Sequence, residues 1–76
     1  MSDLLEAHEE ALAQQLGEWA GRIYIDNDER AARKARNAAE TLAEDVTNLT
    51  MWSLPKRFAF RGLAGKTAFD YVMTFG

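Results

Sequence analysis

Between Asp26 and Leu54 the chain contains neither glycine nor proline, and this uninterrupted stretch constrains the fold more than any other. Asp26 and Glu29 stand at capping-box spacing just ahead of it, so the chain is predicted to enter a long helix here. At about 100° per residue, Ala31, Ala35, Ala38, Leu42, Val46 and Leu49 fall in one narrow sector, with Arg30, Arg33, Asn37, Glu40, Glu44 and Asn48 opposite. Pro55 is the expected stop, because its ring lacks an amide hydrogen and disfavours helical geometry at Leu54. The expected helix is 27–54.

Its apolar stripe has two halves. Up to residue 41 it offers only alanines, which let a bulkier neighbour come close; from 42 onward it offers Leu42, Val46 and Leu49. Met51 projects among charged positions and Trp52 lies at the edge of the stripe, so that end is expected to be covered on more than one side. These two residues are candidates for contact with a partner.

Upstream, Leu5, Leu12, Leu16, Trp19 and Ile23 lie within about 40° of one line on a helical wheel. Ser2 or Asp3 can cap this first helix, expected over 3–24. A competing reading makes Arg22–Ile25 a short strand, since Ile23, Tyr24 and Ile25 favour strands and Gly21 can end a helix. A turn at Asp26–Asp28 then returns the chain, and so short a connection favours an antiparallel pair. Trp19, Leu16 and Ile23 would lie on the alanine half, while Leu42, Val46 and Leu49 reach Leu12 and Leu5.

The segment 56–75 has two readings. As a β-hairpin, Phe58–Phe60 pairs with Thr67–Phe75 across a Gly62–Gly65 loop, with Phe58 opposite Phe69 and Arg57 opposite Asp70. As a short third helix, Ala64, Ala68, Tyr71 and Phe75 form a stripe with Val72 beside them. The hairpin is the preferred reading. The expected fold is thus mainly α: an antiparallel two-helix hairpin closed by a C-terminal aromatic segment, in one domain over 1–76.

Seventy-six residues bury about 60% of the unfolded chain's surface. With no cysteine there is no disulfide framework and no thiolate site. The N-terminal stretch carries acids where a signal peptide needs a basic start and an apolar centre. No run approaches the roughly 18 apolar residues of a membrane span. A soluble cytoplasmic protein is the expectation. The net charge of −3 hides blocks: acids dominate up to Glu29, bases fill 30–36, acids return to residue 55, and bases fill 56–66. Such blocks suit intramolecular pairing or a charged docking surface better than the even basic field of a dedicated nucleic-acid binder.

The motifs are partial. Gly62-Leu63-Ala64-Gly65-Lys66-Thr67 resembles the end of a phosphate loop, but Phe60 stands where the first glycine belongs. The same residues contain the G-x-x-G of a nucleic-acid clamp without the surrounding element order. His8-Glu9-Glu10 begins like a zinc helix, yet Leu12 occupies the second ligand position. Asp26-Asn27-Asp28 lacks the glycine and glutamate of a calcium loop. The carboxylates have no evident catalytic partner. No catalytic residue, metal site or cofactor is expected.

Gly17 and Gly21, four residues apart, cost about 1 kcal/mol each in a helix interior. They are expected on the outer face of the first helix, as a smooth strip for a partner or a second copy. The sequence therefore reads as a small non-catalytic protein-binding module of the adaptor, antitoxin-like or phage-inhibitor kind, with a protein partner, a homodimer or both. One alternative is nucleic-acid binding through Lys56, Arg57, Arg61 and Lys66, or through Arg30, Arg33, Lys34 and Arg36. The other is an acidic decoy that occupies a nucleic-acid site through Asp3, Glu6, Glu9, Glu10 and Glu18.

Overall fold

The computed structural model describes residues 4–24 and 28–75. Three helices account for most of them: α1 (Ala7–Ile23), α2 (Glu29–Thr47) and α3 (Leu54–Phe75). Among the described residues there is no strand. The expected caps at Ser2, Asp3 and Asp26, and the strand position at Ile25, lie outside the described residues. Arg22 and Ile23 are helical and Tyr24 turns, so the strand reading fails at the positions that are described.

Local chemistry sets each helix end. At the start of α1 the Glu9 carboxylate accepts the backbone N–H of Glu6 at 2.8 Å. At the start of α2, Asp28 is the cap, its Oδ1 accepting the N–H of Ala31 at 2.7 Å, which satisfies one orphan donor of the first turn. The end of α2 corrects the expectation of a helix to Leu54. Thr47 is the last helical residue, and its hydroxyl donates back to the Ala43 carbonyl at 2.9 Å. Thr50 then donates its hydroxyl to the Thr47 carbonyl at 2.7 Å and accepts the Trp52 N–H at 3.2 Å, so threonine side chains take over the backbone groups the helix gives up. Pro55 is in the first turn of α3, where a missing N–H costs nothing. It follows a helix start where the sequence reading had it stop a helix.

The β-hairpin expected over 56–75 is replaced by one continuous helix. Phe60, Ala64, Ala68 and Val72 recur every fourth residue and are all buried. Of the helical alternative's stripe Ala64 and Ala68 are inside, Tyr71 is half-buried and Phe75 is exposed. Among the described residues no glycine adopts a positive φ, so Gly62–Gly65 makes no turn. Phe58 does not face Phe69, nor Arg57 Asp70.

The helices run up, down and up. Glu9 pairs with Lys56 at 2.9 Å, and Gly17 lies beneath Ala64 and Gly21 beneath Tyr71, so α3 runs parallel to α1. Asn48 accepts from Arg57 and Arg36 lies over the Phe69 ring, so α3 runs antiparallel to α2. α3 packs extensively on both, and α1 and α2 meet one another less.

The core is built mostly from small residues. Of its twelve apolar members eight are alanines: Ala13, Ala20, Ala32, Ala35, Ala39, Ala43, Ala64 and Ala68. Phe60 and Val72 are the largest apolar side chains fully enclosed. Alanine contributes little transfer free energy, about 0.8 kcal/mol per buried CH₂. What it permits is close backbone approach, with dispersion contacts along the whole length of each helix pair. Trp52 closes one end, edge-on to Phe60 at 5.5 Å between centroids.

Candidate protein-binding face

This choice of core corrects the expected pairing of large stripes. On α1 the buried side is Ala13, Leu16, Gly17, Ala20 and Gly21. On α2 it is Ala32, Ala35, Ala39, Ala43 and Thr47. Each lies about a quarter turn around its helix from the stripe of large residues. Once α3 sits against the small faces, Leu5 and Leu16 stay buried while the other large residues of the two stripes turn outward. Leu12, Trp19, Leu42 and Val46 are left about half exposed, Ile23 is 73% exposed and Leu49 90%.

One large residue from each stripe lines a common groove. Ala20 and Ile23 of α1, with Tyr24 just beyond its end, face Ala38, Thr41 and Leu42 of α2 across one open groove of about 700 Å³ that Lys34 and Asn37 also line. Sequence reasoning assigned Ile23 and Leu42 to the core and missed them as surface. The signal that would have found them is the second periodic face on each helix, made of alanine and glycine.

The residues singled out from the sequence separate. Gly17 and Gly21 are buried under α3, the first against the backbone of Ala64 and the second against the Tyr71 side chain, so the smooth strip is filled by the same chain and is not an outer face. Met51 is fully exposed in the α2–α3 connection, whereas Trp52 is half-buried with the Lys56 ammonium 4.5 Å from its ring centroid.

Lys56, Arg57, Arg61 and Lys66 form no loop; they ride on α3. Lys56 is held by Glu9, which is itself buried. The Glu6 amide first, and the Lys56 ammonium after it, keep the Glu9 carboxyl below the usual carboxylate range. Arg57 donates to Asn48. Arg61 covers the Phe58 ring at 5.0 Å. Lys66 lies elsewhere, beside Arg36, Glu40 and Phe69. Of the bases that open α2, Arg33 pairs with Glu29 at 3.0 Å, Arg36 lies over Phe69 at 5.8 Å, Lys34 lines the groove and Arg30 is exposed. Of the acids considered as a decoy surface, Glu9 is turned inward, Glu6 and Glu18 are exposed, Glu10 is half-buried, and Asp3 lies outside the described residues. Glu18 lines a shallow depression with Gln14, Thr67 and Asp70.

Among the described residues no group of three or more acidic, histidine or cysteine side chains is placed to hold a metal, and no helix is long and apolar enough to cross a membrane. The chain matches no protein-family model, and no curated protein or solved structure matches it significantly.

Proposed function

We propose that this chain acts by binding protein, through the apolar face that α1 and α2 share. The observation that carries this reading is the open groove between α1 and α2 in which the exposed Ile23 and Leu42 lie. Burying a side chain of this size is worth about 1.5–3 kcal/mol when complete. Ile23, Tyr24 and Leu42 left open around one groove favour a docking surface over a solvated one. Lys34, Asn37 and Thr41 bring polar groups to a lining that is otherwise mostly apolar, a mixture found in protein interfaces. A small chain with such a face suits the work of an adaptor, regulator or inhibitor.

Nucleic-acid binding is less well supported. The basic side chains of α3 are spread around the helix, and Lys56 is neutralised by Glu9. The test is capture of partners from the source cells by immobilised chain, wild type beside Ile23→Asp, Leu42→Asp and the control Glu44→Gln. The reading expects a specific partner held by wild type and control and lost by both groove variants. Capture that survives both groove substitutions contradicts it.

A further inference from the structure

We infer that the apolar face takes a second copy of this chain, with α2 of one copy packed antiparallel on α2 of the other about a twofold axis near residue 40. The inference rests on the protein-binding reading above and names its occupant.

The outward side of α2 is small at one end and large at the other. Ala31 and Ala38 are seven residues apart in the first half, and Leu42 and Leu49 seven apart from its second half into the turn beyond. Ala38 and Leu42 line the groove, and Leu49 is almost fully exposed. With residue 40 on the axis, Ala38 of each copy faces Leu42 of the other, and Ala31 faces Leu49. Leu42 and Leu49 then each meet an alanine, as close helix packing favours. A parallel arrangement would set leucine against leucine and leave alanine facing alanine across a gap.

The charges choose the same register. Lys34 and Asp45 lie on one flank of this face, within about 20° of each other on the wheel and roughly 16 Å apart along the axis. Both are exposed, and neither takes part in an ion pair among the described residues. The alignment that matches alanine to leucine brings Lys34 of each copy beside Asp45 of the other, giving two pairs per dimer. A parallel, in-register arrangement would leave Lys34 and Asp45 of the two copies about 16 Å apart along the axis and unpaired. A self-complementary patch of this kind is what a twofold interface needs. Ile23, on the opposite wall of the groove, would close over the incoming helix.

The test is sedimentation equilibrium from sub-micromolar to hundreds of micromolar chain, on wild type, Lys34→Asp, Asp45→Lys, the double reversal and Leu42→Asp. Wild type is expected to dimerise. Each single reversal replaces two attractive contacts by repulsive ones and should weaken the dimer by roughly tenfold. The double reversal should restore it, and Leu42→Asp should leave a folded monomer by circular dichroism. A wild type monomeric throughout overturns the inference, as does a dimer indifferent to Leu42→Asp and to both single reversals. A monomer whose capture of another protein is still lost with Leu42→Asp overturns self-association alone and leaves the binding face standing. Indifference in both assays overturns the two together.

Discussion

A methyl group placed on Gly17 would stand 2.5 Å from the carbonyl oxygen of Ala64, closer than carbon and oxygen can approach. This contact makes the α1–α3 packing possible, and it explains why a residue unfavourable to helices sits in the middle of α1.

Gly17→Ala should therefore destabilise the fold although alanine is the better helix former. Overpacking against backbone costs about 1–3 kcal/mol, against roughly 1 kcal/mol gained in propensity. Gly62 is the internal control: nothing lies within 4 Å of its added Cβ, and Gly62→Ala should stabilise by up to about 1 kcal/mol. Urea denaturation of the two variants gives the signs directly. Stabilisation by both would mean that α3 does not lie on Gly17.

Phe60 and Trp19 should rank opposite to their size. Phe60 is fully enclosed and Trp19 46% exposed. Phe60→Ala should cost about 3–5 kcal/mol and Trp19→Ala at most about half as much. Melting curves at low concentration decide it, and a larger loss from Trp19→Ala would restore the large-stripe core.

That ranking marks where the sequence was legible and where it was not. Helix character was readable from periodicity over α1 and α2, whereas over 56–75 the hairpin was preferred. Its helical alternative named Ala64 and Ala68, which are buried, but centred on Tyr71 and Phe75, with Val72 only beside them, and Phe75 is exposed. The buried faces of α1 and α2 were not legible. A helical wheel weights residues by apolar size, so Leu12, Trp19 and Ile23 outweigh Ala13, Gly17 and Ala20. Packing three long helices rewards the faces where backbones come closest, and those are the alanine and glycine faces. The same substitution of criterion explains the candidate site. Ile23 and Leu42 were legible as apolar, but whether they face inward depends on where α3 goes. Gly17 and Gly21 were legible as a strip for a neighbouring backbone, but what fills it proved to be the chain's own α3.

Acid should loosen the bundle at the Glu9–Lys56 end. The folded state holds the Glu9 carboxyl below its ordinary range, through the Glu6 amide and then Lys56, so the unfolded chain takes up this proton at higher pH. The stabilisation is complete above the ordinary glutamate pKa of about 4.3 and is lost as pH falls through the lower folded value. Urea midpoints followed from neutral pH downward should fall more steeply for wild type than for Glu9→Gln. Parallel curves would remove Glu9 from the acid response.

The central claim is that the small faces are inside and most residues of the large stripes outside, and relative stability tests it most directly. Ile23→Asp, Leu42→Asp and Ala39→Leu should be denatured with urea at sub-micromolar chain, where mass action keeps any dimer dissociated. Ile23 and Leu42 border the open groove, while Ala39 is fully enclosed. The two aspartate variants are expected within about 1 kcal/mol of wild type, and Ala39→Leu should lose about 1–3 kcal/mol by overpacking. The reverse order, with Leu42→Asp unfolding the chain and Ala39→Leu tolerated, would contradict the account.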